Sequence, residues 1–132
     1  MSGIFVNRVT TKSGGRIRVM LRDCNETALV SADVSKIRYT IYEVANFAVY
    51  TPVPGHTDVT VVPEETIFDT PQTDTETGRT FNFEHTISMQ ANFPFPNRRS
   101  QYQVEYSFFD TGGEAHVHKI FCTTDEEGSD FI

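Results

Sequence analysis

Apolar and polar positions alternate with a period of two along much of the chain, and this alternation predicts strands. In "GRIRVMLRD" Ile17, Val19 and Leu21 face one way and Arg16, Arg18 and Arg22 the other. "SKIRYTIYEV" repeats the pattern with Ile37, Tyr39 and Ile41, and its β-branched and aromatic content opposes a helix. Between these runs, "DCNETALVSADV" reads as a turn followed by at most one helical turn. Further on, "FNFEHTISM" places Phe81, Phe83, His85, Ile87 and Met89 on one face, and "YQVEYSFF" does the same with Tyr102, Val104, Tyr106 and Phe108. "EAHVHKIFCT" follows after "DTGG", a connection that predicts a hairpin.

Proline punctuates the middle of the chain. Short extended pieces are expected around Val49, Val59 to Val62 and Ile67 to Phe68, with Pro52, Pro54 and Pro63 restricting them to edges or sheet crossings. "TPQTDTETGRT" carries turn chemistry and no apolar anchor, so an exposed loop is expected there. About seven to eight short strands at regular spacing, with no helix of clear 3.6 period, predict an all-β fold. The expected architecture is a single antiparallel β-sandwich of immunoglobulin-like type. Residues 1–132 are read as one domain, with an N-terminal arm over 1–14 and an acidic tail over 124–132. The candidate core comprises Ile17, Val19, Leu21, Ile37, Tyr39, Ile41, Phe83, Ile87, Val104, Tyr106 and Phe108.

Composition refines this picture. Of 132 residues 38% are hydrophobic, and eleven Phe and five Tyr with no Trp assign much of the burial to rings. The net charge is −7, but residues 1–38 hold seven of the eleven Lys and Arg against three acids. The acidic balance opposes nucleic-acid binding, which requires a basic footprint. The three arginines of the first strand are expected on a solvated outer face. The apolar runs fall short of a membrane span, and "MSGIFVNRVTT" lacks the charged start and apolar stretch of a signal peptide. Cys24 and Cys122 have no zinc-cluster spacing and are expected as reduced, partly buried thiols.

His116 and His118 are two apart, so a strand places both on one face, where His85 or Glu84 would be needed to complete a metal site. Apolar Val117, Ile120 and Phe121 already account for this strand as packing, so no metal and no other cofactor is expected. The sequence contains no G-x-S-x-G elbow, P-loop, dinucleotide-binding glycine turn or H-E-x-x-H motif, and no enzymatic activity is expected. Glu64, Glu65, Asp69, Asp74 and Glu76 lack the regular spacing of a calcium loop and read as solvated loop charges. Tyr42, Tyr50 and Phe109 fall opposite the candidate core, where they would form a glycan platform or an interface with a neighbouring subunit. Ile4, Phe5 and Val6 near one end, and Phe131 and Ile132 at the other, are candidate contacts with another subunit.

"VMLRDCNETALVSADVSKIRYTIYEV" resembles the opening of small immunoglobulin-like proteins encoded among the structural genes of tailed bacteriophages. "IFDTPQTD", "FNFEHTI" and "YQVEYSFFDTGGEAHVHKIF" are similar, in order and spacing, to the same family from marine phages and some bacterial genomes. The resemblance spans residues 17 to 122 and departs from the family at "TETGRTFNF", where the preceding loop lacks a tryptophan. It implies a virion component made in the host cytoplasm: a capsid decoration, neck or tail protein, or a baseplate adaptor. Its partners would be copies of itself and other capsid or tail subunits, with no nucleic acid and no membrane. The alternative is a carbohydrate-binding or adhesion module.

Overall fold

A computed structural model describes residues 4–10, 14–23, 25–46, 48–75, 77–88, 94–96 and 100–123, with backbone alone for 4–10, 14, 88 and 123. Among the described residues nine strands form two antiparallel sheets packed face to face. Strands β1 (Ile4–Thr10), β2 (Gly14–Val19), β6 (Ile67–Thr73) and β7 (Thr80–Ser88) make one sheet in the order β1-β2-β7-β6. The other contains β3 (Val34–Ala45), β4 (Val49–Pro52), β5 (Val59–Val61), β8 (Gln101–Asp110) and β9 (Ala115–Thr123). Its order is β4-β3-β8-β9, with β5 pairing β3 beyond the end of β4. Lettered in chain order, with β4 and β5 sharing one position, this is the A-B-E-D sheet facing C′-C-F-G that defines the immunoglobulin-like sandwich.

The core lies where alternation puts it. All eleven candidate core residues are buried, and they join Val34, Val53, Val61, Ile67, Phe95, Tyr102, Ile120 and Cys122 in one cluster between the sheets. Rings bind the two layers: Phe83 of β7 meets Tyr106 and Phe108 of β8 edge-on, each at 5.2 Å between centroids. Edge-on pairing sets the positive rim of one ring against the negative face of the next. Truncating a buried aliphatic in such a cluster costs about 2–5 kcal/mol, because transfer and cavity terms add.

Local chemistry explains the connections. Asp23 Oδ1 accepts from the backbone N–H of Asn25 and of Thr27, closing the expected turn, and a single 3₁₀ turn over Ser31–Asp33 leads into β3. In the β8–β9 hairpin the Asp110 N–H donates to Glu114 O, and Gly113 adopts φ 89°, which a side chain would disfavour. Pro63 opens one short helical turn, α1 (Pro63–Thr66), where its missing N–H has no role. Among the described residues no helix is long and apolar enough to cross a membrane.

Four expectations require correction. Residues 70–73 of the expected loop are part of β6, and the turn is confined to the segment before β7. Asp74, expected as a solvated loop charge, is buried there, and its Oδ1 accepts from Thr77 N–H. Phe81 lies outside the inter-sheet cluster: its ring packs edge-on against Phe68 and beneath the Arg18 guanidinium, at 5.9 and 4.3 Å. Residues 4–10 of the expected arm are an edge strand, registered against β2 from Ile4↔Val19 to Thr10↔Gly14. The acidic tail over 124–132 lies outside the described residues.

Candidate functional site

Three groupings of polar or aromatic side chains emerge from the fold. The first lies within the sandwich. Tyr39 and Tyr106 are directly opposed on β3 and β8, with rings 5.9 Å apart, and both point inward. The Tyr106 hydroxyl meets His85 Nδ1 at 2.8 Å, and the Tyr39 hydroxyl meets His56 Nδ1 at 2.9 Å. His56 reaches this position because residues 53–58 interrupt the edge strand between β4 and β5. Ile41 spans the gap, donating its N–H to His56 O and accepting from Val53 N–H, both at 2.8 Å. Burial sets the electrostatics: it pushes His85 down to about 4 and Tyr39 up to about 12, and raises Tyr106 well above the usual phenol range. Tyr39, Tyr106 and His85 are therefore held neutral near pH 7, and all four side chains are hydrogen-bonded core.

The second grouping is the outer face of the five-stranded sheet. Cross-strand register aligns Phe121, Gln103, Tyr42 and Pro52 in one row. Tyr50 joins this row, its ring 6.2 Å from that of Tyr42 and nearly perpendicular to it. Tyr50, Val117 and Phe121 are all exposed, Phe121 to 62%. Phe109, expected with the two tyrosines, instead carries Lys36 Nζ over its ring at 4.4 Å.

The third grouping is the tip of the β8–β9 hairpin. Asp110 and Glu114 oppose each other across the turn, and His116 follows Glu114 by two on the same face. His116 Nε2 lies 3.3 Å from Asp110 Oδ2. One ligand atom from each of the three residues falls within 4.8 Å of the others. Asp110 is held below the usual carboxylate range, first by the Glu114 N–H and next by His116.

His116 and His118 do share a face, but they are not brought together with His85. His118 is buried beside Phe108 with Nδ1 lacking a hydrogen-bond partner, and His85 faces Tyr106 from the opposite sheet. Arg18, expected on a solvated face, is paired with Glu84 at 2.6 Å and with buried Asp74 at 2.9 Å. Arg22 Nη1 donates to Glu26 O. Asp69 accepts from Ser31 N–H, and Glu64 and Glu65 are exposed on α1. Cys122 is a buried free thiol pushed up to about 12 by burial, and Cys24 and Glu76 lie outside the described residues. Ile4, Phe5 and Val6 contribute backbone to β1, while Phe131 and Ile132 lie outside the described residues.

Sequence reasoning missed His56, Gln103, and the part Asp110 and Glu114 play beside His116. The hairpin was the usable signal: D-T-G-G-E-A-H places an acid on either side of a turn and a histidine two residues on. Comparison with protein-family models, curated proteins and solved structures gives no match.

Proposed function

We propose that this protein is a non-enzymatic structural subunit that works by protein–protein contact through the outer face of its five-stranded sheet, and that the assembly is a bacteriophage virion. The observation that carries the contact is the row Phe121, Gln103, Tyr42 and Pro52, flanked by exposed Tyr50. Exposed apolar surface of this kind marks interaction sites, because leaving it in water forfeits the free energy of burial. The virion setting rests on the family resemblance over residues 17–122. Within it, copies of this chain and neighbouring capsid or tail subunits are the partners.

The second reading, a glycan-binding module, draws on the same tyrosines. Against it stands the 80° angle between the Tyr42 and Tyr50 rings, which denies a sugar one flat surface spanning both. Density-gradient purification of the particles should find the chain in the particle fraction. Tyr50→Ser with Phe121→Ser should reduce its incorporation at least about fivefold while leaving circular dichroism unchanged, since interface aromatics carry a large share of binding energy. Wild-type incorporation of the folded double variant, or a chain that never sediments with particles, would refute the proposal. Sugar binding on a glycan array, lost in Tyr42→Ala, would favour the second reading.

A further inference from the structure

The tip of the β8–β9 hairpin carries a set of side chains that the turn itself does not require. Closing this turn uses the Asp110 backbone and one carboxylate oxygen. The Asp110 N–H donates to Glu114 O at 2.9 Å, Gly113 N–H donates to Asp110 O at 3.0 Å, and Oδ1 accepts from Gly112 and Glu114 N–H, each at 2.9 Å. Asp110 Oδ2, the Glu114 carboxylate and the His116 imidazole are additional to that arrangement. Register brings them together: Asp110 opposes Glu114 across the turn, and His116, opposite Phe108, shares their face. Beyond buried Phe108 this face is open, with the His116 and Asp110 side chains 47% and 39% exposed.

The spacing is that of ligands around an ion. A charge-assisted N–H···O contact settles at about 2.7–2.9 Å. His116 Nε2 and Asp110 Oδ2 stand at 3.3 Å. Two ligands each about 2.0–2.1 Å from a tetrahedral zinc lie about 3.3–3.4 Å apart. The third ligand atom, from Glu114, lies within 4.8 Å of both and is carried by an exposed side chain. Asp110 is already oriented, because the two backbone donors on Oδ1 fix its plane and leave Oδ2 directed at the imidazole. Outer hydrogen bonds that position a ligating carboxylate in this way are a regular part of metal sites.

We propose that Asp110, Glu114 and His116 form a binding site for a divalent transition ion of the zinc class, with the fourth position open to solvent. One imidazole with two carboxylates suits zinc and its first-row neighbours, whereas calcium and magnesium prefer oxygen ligands alone. The site stands independently of the assembly role, since it lies at the hairpin tip and not on the Phe121–Tyr42 row.

The test is a titration of the full chain with zinc chloride against a chromogenic chelator, run beside calcium chloride. One equivalent of zinc per chain is expected. His116→Ala and Glu114→Gln should each weaken binding at least about tenfold, the scale on which lost metal-site interactions are felt. Glu64→Gln, an exposed acid on α1, should bind as the wild type does. In ¹H–¹⁵N spectra of the imidazoles, zinc should shift the resonances of His116 and not those of His118. Both changed side chains are exposed, and circular dichroism verifies their folding. Unchanged affinity in folded His116→Ala, equal affinity for calcium, or absence of stoichiometric zinc binding would each overturn the proposal.

Discussion

His85 is held neutral by where it sits. Its ring is enclosed by Tyr39, Phe83 and Tyr106, with the Tyr106 hydroxyl on Nδ1, and burial lowers its pKa to about 4. In the unfolded chain the same imidazole titrates near 6.5. A folded-state pKa below the unfolded one gives stability that is complete above about pH 6.5 and is lost as pH falls toward 4. The hydrogen bond need not break on protonation, since Nδ1–H then donates to the phenolic oxygen; the cost is that of a desolvated cation. His118, lowered by burial as well, acts in the same direction. Urea midpoints should fall between pH 7 and pH 4.5, and His85→Gln should lose about 2–3 kcal/mol less over that interval than the wild type, which isolates the His85 contribution. Identical pH dependence in the two proteins would show that His85 is not the group responsible.

Among the elements, the strands carrying the core could be read directly, because each places apolar residues at every second position and so has one face that must be buried. Ile37, Tyr39 and Ile41 on β3, and Val104, Tyr106 and Phe108 on β8, follow from that rule, and all are buried. What could not be read depends on partners distant in sequence. His56 lies in a Pro-Gly segment without periodicity, and backbone bonds with Ile41 and Val53 and the Tyr39 hydroxyl hold it inward. Asp74 looked like a loop acid because its burial is made tolerable by Arg18, 56 residues away. The hairpin was legible from "DTGG", but the meeting of Asp110, Glu114 and His116 is a consequence of register and not of composition.

Asn82 belongs to the same class of long-range effects, and it binds one element to another. Its Oδ1 accepts from Leu21 N–H at 2.6 Å, and its Nδ2 donates to Leu21 O and Leu29 O at 2.9 and 3.0 Å. A buried side-chain amide thus takes the place of a ladder strand for the segment between β2 and β3. Asn82→Ala leaves Leu21 N–H and Leu29 O without these partners, although Leu21 O keeps its bond from Leu29 N–H. At about 1–3 kcal/mol for each of the two stranded groups, the expected destabilisation is about 2–6 kcal/mol. Faster hydrogen exchange at the Leu21 amide should accompany it. A denaturation midpoint close to wild type would mean that water replaces the amide at no net cost.

At the scale of the whole molecule, the immunoglobulin-like strand order leaves β1, β6, β9 and the β4–β5 position at the sheet edges, and how each edge is closed decides what the domain offers a neighbour. Pro52 ends β4 and Pro71 lies within β6, each removing a donor that another chain would pair with. β1 protects β2, which carries Ile17 and Val19 into the core and would otherwise present its own unpaired groups. This gives residues 4–10 a structural role that an arm reaching to another subunit would not have. Removing residues 1–10 should leave a β-type circular dichroism spectrum, since the β2–β7, β3–β8 and β8–β9 ladders remain. Stability should drop by on the order of 3 kcal/mol, at ~1 kcal/mol net for each of the few ladder bonds lost. The exposed β2 edge should also promote self-association, visible as concentration-dependent sedimentation. If the truncated chain kept the wild-type urea midpoint and sedimented as the wild type does, β1 would contribute nothing to its own sheet, and a role on a neighbouring subunit would be the better account of Ile4, Phe5 and Val6.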